Sequence, residues 1–283
     1  MKYLLYIIFI LSAIHVPVVK GQVSKNYKNL DEALQSPDSV QWLTLRQQNL
    51  KEFPIEILSL RNLKYLDIAN NEIESLPEEL SQLSHLFYFD LSGNKLSKLP
   101  NNFESLTSLR NLYLDYNKAQ QIEQDFEVLS KLPLLKVLDI RGDGITQLPP
   151  SIGKLKSLEY LELSDNEIEI LPQEIRNLKN LQVLYINNDS RFNLSKNIGL
   201  LSTIPNLKEL HLEGDHFQKI PEEIRNLKSL EYLYLGNNDL TELPEGIKAL
   251  EKLKFIDISN NRMPHILLDQ YRDDLSPTIK IKF

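Results

Sequence analysis

The 283-residue sequence predicts an α/β solenoid, one small strand-and-turn unit copied end to end, and three observations carry that prediction. Leucine supplies 54 of the 283 residues against only 9 Gly, a bias expected when one unit is repeated many times. An eleven-residue pattern, LxxLxLxxNxL, returns ten times from Val40 onward. Within each copy apolar residues alternate with polar ones, as a short strand with one buried face requires. The bulk composition, 42% hydrophobic and 25% charged, is that of an ordinary globular protein and excludes wholesale disorder or a polytopic membrane protein. No Cys is present, which removes disulfides, thiolate metal sites and a thiol nucleophile together. A net charge of −7 gives no general attraction for nucleic acid or anionic lipid, so neither is expected as a partner.

Residues 1–21 read as a signal peptide. Lys2 precedes an apolar run from Tyr3 to Ile14, Pro17 breaks it, and Gly21 stands before Gln22. The run is short for a membrane span, which needs about 20 apolar residues, and an uncleaved anchor is the alternative. Cleavage would leave a secreted, periplasmic or cell-surface chain with no membrane insertion. Residues 22–39 are expected to form an N-terminal capping helix. Asn29-Leu-Asp-Glu32 has the form of a capping box before Leu30, Ala33 and Leu34, and Ser36-Pro37 stops the turn.

Residues 40–262 hold the repeats. First positions fall at Val40, Leu63, Leu86, Leu109, Leu135, Leu158, Leu181, Leu207, Leu230 and Leu253, in steps of 23 residues except two of 26. The ninth position is Asn in six units: Asn71, Asn94, Asn117, Asn166, Asn238 and Asn261. An amide both donates and accepts, so a column of Asn can satisfy backbone groups where each chain leaves the sheet. Gln48, Asp143, Asp189 and Asp215 depart from it, and an ionised Asp cannot donate. Seven units continue with an apolar-Pro pair, Phe53-Pro54 through Leu243-Pro244, and proline opens a helical or 3-10 turn without losing a hydrogen bond. The two long units lack that pair. Ile122, Phe126 and Leu129 in the first have helical spacing; the second, around Asn187–Asn193, is polar and gives no assignment. Both blocks of 23, 23 and 26 residues sum to 72, which indicates duplication of a three-unit block. Residues 263–283 are expected to be the remainder of a last repeat and a cap, with Ile279, Ile281 and Phe283 alternating.

This pattern resembles the leucine-rich-repeat family, in its 23-residue LPxxI variant shared by secreted bacterial and plant Ras-group members. The signal peptide and the lack of Cys-rich caps favour the bacterial group. The resemblance implies a horseshoe with a parallel concave sheet and short helical or 3-10 convex segments, forming one cooperative body.

Catalytic chemistry is hard to find. No phosphate loop, GxSxG elbow or HExxH occurs, so no enzyme and no cofactor are expected. His211, Glu213, Asp215 and His216 are the nearest approach to a metal set, but the repeat register sends them in different directions. Arg141-Gly-Asp143 spells an integrin-recognition tripeptide whose Asp falls in the buried turn column. Asn188-Asp-Ser190 and Asn193-Leu-Ser195 are sequons that matter only in a eukaryotic secretory route.

The remaining candidate is the concave face, formed by positions three, five, seven and eight. Its aromatic residues include Trp42, Tyr65, Tyr88, Tyr113, Tyr116, Tyr160, Tyr185, Tyr232, Tyr234 and Phe255, with His211 completing a ladder between Tyr185 and Tyr234. Its acids include Asp67, Asp90, Asp115, Asp139, Glu162, Asp165, Glu209, Glu213 and Asp257, against two bases, Arg46 and Arg141. Aromatic anchors are over-represented at binding hot spots. The expected function is a non-enzymatic scaffold binding a protein or peptide, a basic one by charge. Carbohydrate or cell-wall glycan binding by the exposed rings is the alternative.

Overall fold

The computed structural model describes residues 25–117 and 121–283. The expected signal peptide lies outside the described residues. Twelve strands among the described residues form one open parallel sheet in chain order. They are β1 (Asn26–Tyr27), β2 (Trp42–Thr44), β3 (Tyr65–Asp67), β4 (Tyr88–Asp90), β5 (Asn111–Tyr113) and β6 (Val137–Asp139). The second half comprises β7 (Tyr160–Glu162), β8 (Val183–Tyr185), β9 (Glu209–His211), β10 (Tyr232–Tyr234), β11 (Phe255–Asp257) and β12 (Lys280–Lys282). Equivalent positions pair directly, Trp42 with Tyr65 and Leu43 with Leu66, so each position of the repeat becomes a column running across the sheet.

Three such columns form the strand side of the core, and apolar residues of the convex turns, such as Ile57, Leu80 and Phe103, pack against them. All ten fourth-position residues, from Leu43 to Ile256, are fully buried, and the first and sixth positions join them. The apolar alternation seen in the sequence is therefore the inner face of the sheet. The ninth-position column is wired as its amides allow. Asn71 accepts through Oδ1 from the N–H groups of Gln48 (2.9 Å) and Leu50 (3.1 Å), and donates through Nδ2 to the carbonyls of Leu45 (2.9 Å) and Ile68 (2.8 Å).

The eighth position shows a constraint that the pattern did not announce. It is left-handed in every unit, from φ 54° at Asn70 to 76° at Gly214. Only Gly, Asn and Asp enter that region readily, which accounts for Gly93, Gly142, Gly214 and four Asn there, and makes Gln47 and Tyr116 exceptional.

On the convex side each of the seven apolar-Pro prolines sits at the N-terminus of a 3-10 helix with φ between −65° and −74°. The long units carry α-helices instead. With α1 at Leu30–Leu34, these are α2 (Ile122–Leu129) and α3 (Leu194–Leu201). The polar run left unassigned in the second insertion ends in a helix cap, where Asn193 Oδ1 accepts from Lys196 N–H at 3.1 Å. The C-terminal segment contains α4 (His265–Asp274), absent from the sequence reading. These helices occupy one place in successive 72-residue blocks. Asp125 Oδ1, Asn197 Oδ1 and Tyr271 Oη accept from the buried N–H groups of Leu99, Leu171 and Leu243 at 2.7, 2.9 and 2.7 Å. The C-terminal helix thus plugs the last unit as the internal helices plug theirs.

At the N-terminal end, Asn29 Oδ1 accepts from Glu32 N–H at 2.9 Å and caps α1. The edge of β2 is covered by the short strand β1, against which that helix packs, an arrangement not foreseen from the sequence. Among the described residues no helix is long and apolar enough to cross a membrane.

Candidate functional site on the concave sheet

The short strands project their third and fifth side chains onto the concave face, and the aromatics gather there into two runs. In the N-terminal run Trp42 and Tyr65 lie 4.5 Å apart, Tyr65 and Tyr88 stack at 3.9 Å, and Tyr88 meets Tyr113 at 5.1 Å. In the C-terminal run Tyr160, Tyr185, His211, Tyr234 and Phe255 follow at 5.3, 3.6, 3.9 and 5.2 Å. The Tyr185–His211–Tyr234 ladder expected from register is present. Its spacing is tighter than the roughly 4.8 Å between neighbouring strands, because side chains converge inside a concave curve. Such pairs contribute about 0.5–1.5 kcal/mol each beyond their burial.

That convergence corrects the expected exposure. Tyr185 is 7% exposed and His211 0%, so neither is the open anchor that register alone suggested. Asp90, Asp139, Glu162 and Asp257 are buried as well, along with Asp67 and Asp115. Trp42, Tyr65, Tyr88, Tyr113, Tyr160, Tyr232, Tyr234 and Phe255 are partly buried, and Tyr116 is the most open at 52%. Tyr116 occupies a left-handed position on the rim, where its hydroxyl donates to Asp165 at 2.8 Å across the intervening unit. Its ring passes over Gly142, where any Cβ would come within 2.4 Å of it.

The acidic field is also smaller than the count of charges implied. Arg46 bridges Asp67 (3.0 Å) and Asp90, and Arg141 bridges Asp139 (2.8 Å) and Asp115 (3.6 Å). A third base, Lys282 on β12, was missing from the expected set and holds Asp257 at 2.7 Å. Burial raises the carboxyls of Asp67, Asp115, Asp139 and Glu162 above their ordinary range, which weakens their charge further. Burial acts on Asp257 in the same direction, but its bonds to Lys282 and Ser259 outweigh that and leave it lowered.

His211 is held from four sides. Tyr185 and Tyr234 cover its two faces, Nε2 lies 2.8 Å from Glu209 Oε1, and Nδ1 lies 3.4 Å from Glu213 Oε2. Burial alone would lower its pKa; the two carboxylates reverse that and raise it. Carboxylates at both ring nitrogens favour the doubly protonated imidazolium.

A family description, "Leucine-rich repeat region", matches residues 24–140 and 113–209, and "Leucine rich repeat" matches 205–263. The chain belongs to the leucine-rich-repeat family. No curated protein matches it. Several solved structures share the leucine-rich-repeat fold. An internalin from Listeria monocytogenes has a TM-score of 0.67 at 23% identity, over 88% of this chain and 68% of that one. A chain of the Toll–Spatzle complex of Drosophila gives 0.67 at 26% identity, over 86% and 32%. A chain of the TLR13–ssRNA13 complex gives 0.66 at 23%, over 87% and 44%. This chain spans less than half the length of the last two.

Proposed function

We propose that the chain is a secreted, non-enzymatic scaffold of the 23-residue LPxxI type, of bacterial kind, that binds a basic protein or peptide along its concave sheet. The observation that carries this reading is the partly exposed third-position row, Trp42, Tyr65, Tyr88, Tyr160, Tyr232 and Phe255, on the same face as the partly exposed Glu209 and Glu213. Aromatic edges and hydroxyls backed by rigid stacks give large contact area at low entropy cost. The Toll–Spatzle complex shows another protein of this fold with a protein partner, and the TLR13 complex one with single-stranded RNA. For this chain a net charge of −7 favours the protein over the RNA. Stacking also argues against sugar binding, since rings such as Tyr65, Tyr88 and His211 turn faces to one another that a glycan would need.

The test is capture from extracts of the native host by the full chain and by the double variant Tyr65→Ala, Tyr232→Ala. Hot-spot truncations cost about 2 kcal/mol or more, so capture should fall at least about thirtyfold with folding retained. Binding should also weaken as salt rises from about 50 to about 500 mM. Equal capture by the folded double variant rejects the concave face, and selective retention on a glycan array assigns the carbohydrate reading. Export is tested separately, by N-terminal sequencing of the native protein, which should begin at or near Gln22.

A further inference from the structure

Six of the ten ninth-position side chains are Asn and use both ends of the amide. Asn238 accepts from the N–H groups of Asp215 (3.0 Å) and Phe217 (3.1 Å), and donates to the carbonyls of Leu212 (2.7 Å) and Leu235 (3.1 Å). Asp215 holds the same place one unit earlier, and only half of that wiring survives. Its Oδ1 accepts from Asp189 N–H at 2.7 Å. Its Oδ2 is sealed from solvent without a hydrogen-bond partner, in a residue 3% exposed. A carboxylate is acceptor-only, whereas a carboxylic acid carries one O–H donor. An ionised oxygen enclosed there with no cation would be costly.

We propose that Asp215 is held as a neutral carboxylic acid in the folded chain, its Oδ2–H donating to a main-chain carbonyl of its own turn as the Asn amides do. By the register of the column, the acceptor is the carbonyl of Leu212 or Glu213. The turn ladder thereby contains a proton-binding site that tightens the solenoid at acid pH and loosens it at alkaline pH.

The surroundings agree. The ionisable groups acting on Asp215 are Asp189 in the preceding unit and Glu213 on its own strand, both acidic. The following unit faces it with neutral Asn238, and His216 turns outward to Asp239 at 3.4 Å. Burial is the main influence and, with those two acids and against the Asp189 N–H bond, pushes the carboxyl up to about 8. Asp143, at the matching place 72 residues earlier, accepts from Asn117 N–H at 2.7 Å and is pushed up by burial to about 7.

An unfolded Asp titrates near about 3.9, below the folded value. The contribution is therefore complete below about pH 4 and falls up to about tenfold in the folding equilibrium per pH unit until the folded carboxyl ionises. Urea unfolding of the full chain and of Asp215→Asn, from about pH 5 to about pH 9, reads this out directly. The Asn variant should gain on the wild type as pH rises, with the slope of one proton. Infrared spectra of the wild type at neutral pH should show the C=O stretch of an un-ionised buried carboxyl that disappears on alkaline titration. That second measurement stands even if the variant fails to fold. A difference between the two chains that is constant with pH overturns the proposal, as does absence of the carboxyl band at neutral pH. A wild-type midpoint raised by calcium, with no response in Asp215→Asn, would also overturn it and assign a cation to the site.

Discussion

Replacing Asn166 by Ala tests the wiring of the solenoid at one residue. Asn166 is 6% exposed and sits in mid-column. Its Oδ1 accepts from Asp143 N–H at 3.2 Å and Ile145 N–H at 3.0 Å, and its Nδ2 donates to the carbonyls of Leu163 (2.7 Å), Ile140 (3.1 Å) and Ser164 (3.3 Å). The methyl of Ala reaches none of them. At least one buried N–H and one buried carbonyl lose their partner, each at about 1–3 kcal/mol, for a total of about 2–6 kcal/mol. The control is Glu169→Ala. Glu169 is exposed and, among the described residues, its carboxylate pairs with Lys196 at 3.0 Å on the surface, so its loss should cost less than about 0.5 kcal/mol. Urea slopes of about 1–3 kcal/mol per molar turn the first figure into a midpoint shift of roughly 1 M or more, and the second into almost none. Equal midpoints for the two variants would refute the column as a source of stability.

Two further predictions concern the rim and the ladder. Gly142 and Gly144 share φ 69°, but a Cβ on Gly142 would strike the Tyr116 ring and one on Gly144 would meet open space. Both Ala variants incur about 1–2 kcal/mol for the left-handed backbone; Gly142→Ala should cost more, and adding Tyr116→Ala should erase the excess in a urea titration. His211, with its folded pKa raised, contributes stability that is full below its unfolded value of about 6.5 and is lost as pH rises through the folded value. His211→Gln should therefore lose less stability than the wild type between about pH 6 and about pH 9, and an NMR titration of the imidazole should show an upward shift; an unshifted titration would contradict the four-sided cage.

Much of the fold could be read from the chain because each core position repeats with its neighbours unchanged. An apolar residue at position four, Leu in all units but those of Phe89 and Ile256, meets its equivalents in the neighbouring units, so periodicity alone places the core column from Leu43 to Ile256. The segments that broke the period were harder. The helix Leu194–Leu201 hid behind a polar run, although Asn193 before Leu194 is an ordinary cap signal. The helix His265–Asp274 hid because its register continues the 72-residue block rather than the 23-residue unit. The left-handed eighth position was visible only as a scatter of Gly, Asn and Asp, which Tyr116 and Gln47 obscured.

The concave face was legible as a set of residues but not as a surface. Period two says which way a side chain points, and curvature decides whether it remains open. At the fifth position the sequence places acids where a base lies within reach, Arg46 for Asp67 and Asp90, Arg141 for Asp139, Lys282 for Asp257. Where no such base stands, from β8 to β10, it places Tyr185, His211 and Tyr234, which satisfy one another by stacking. Both solutions fill the floor of the sheet and fix it. A floor so fixed leaves the third-position row and the glutamates beside His211 as groups already ordered before a partner arrives. Ordering interface side chains otherwise costs about 0.5–1.5 kcal/mol apiece, so on the concave-face function proposed above the stacked ladder would act by holding the third-position row in place rather than by touching the partner itself.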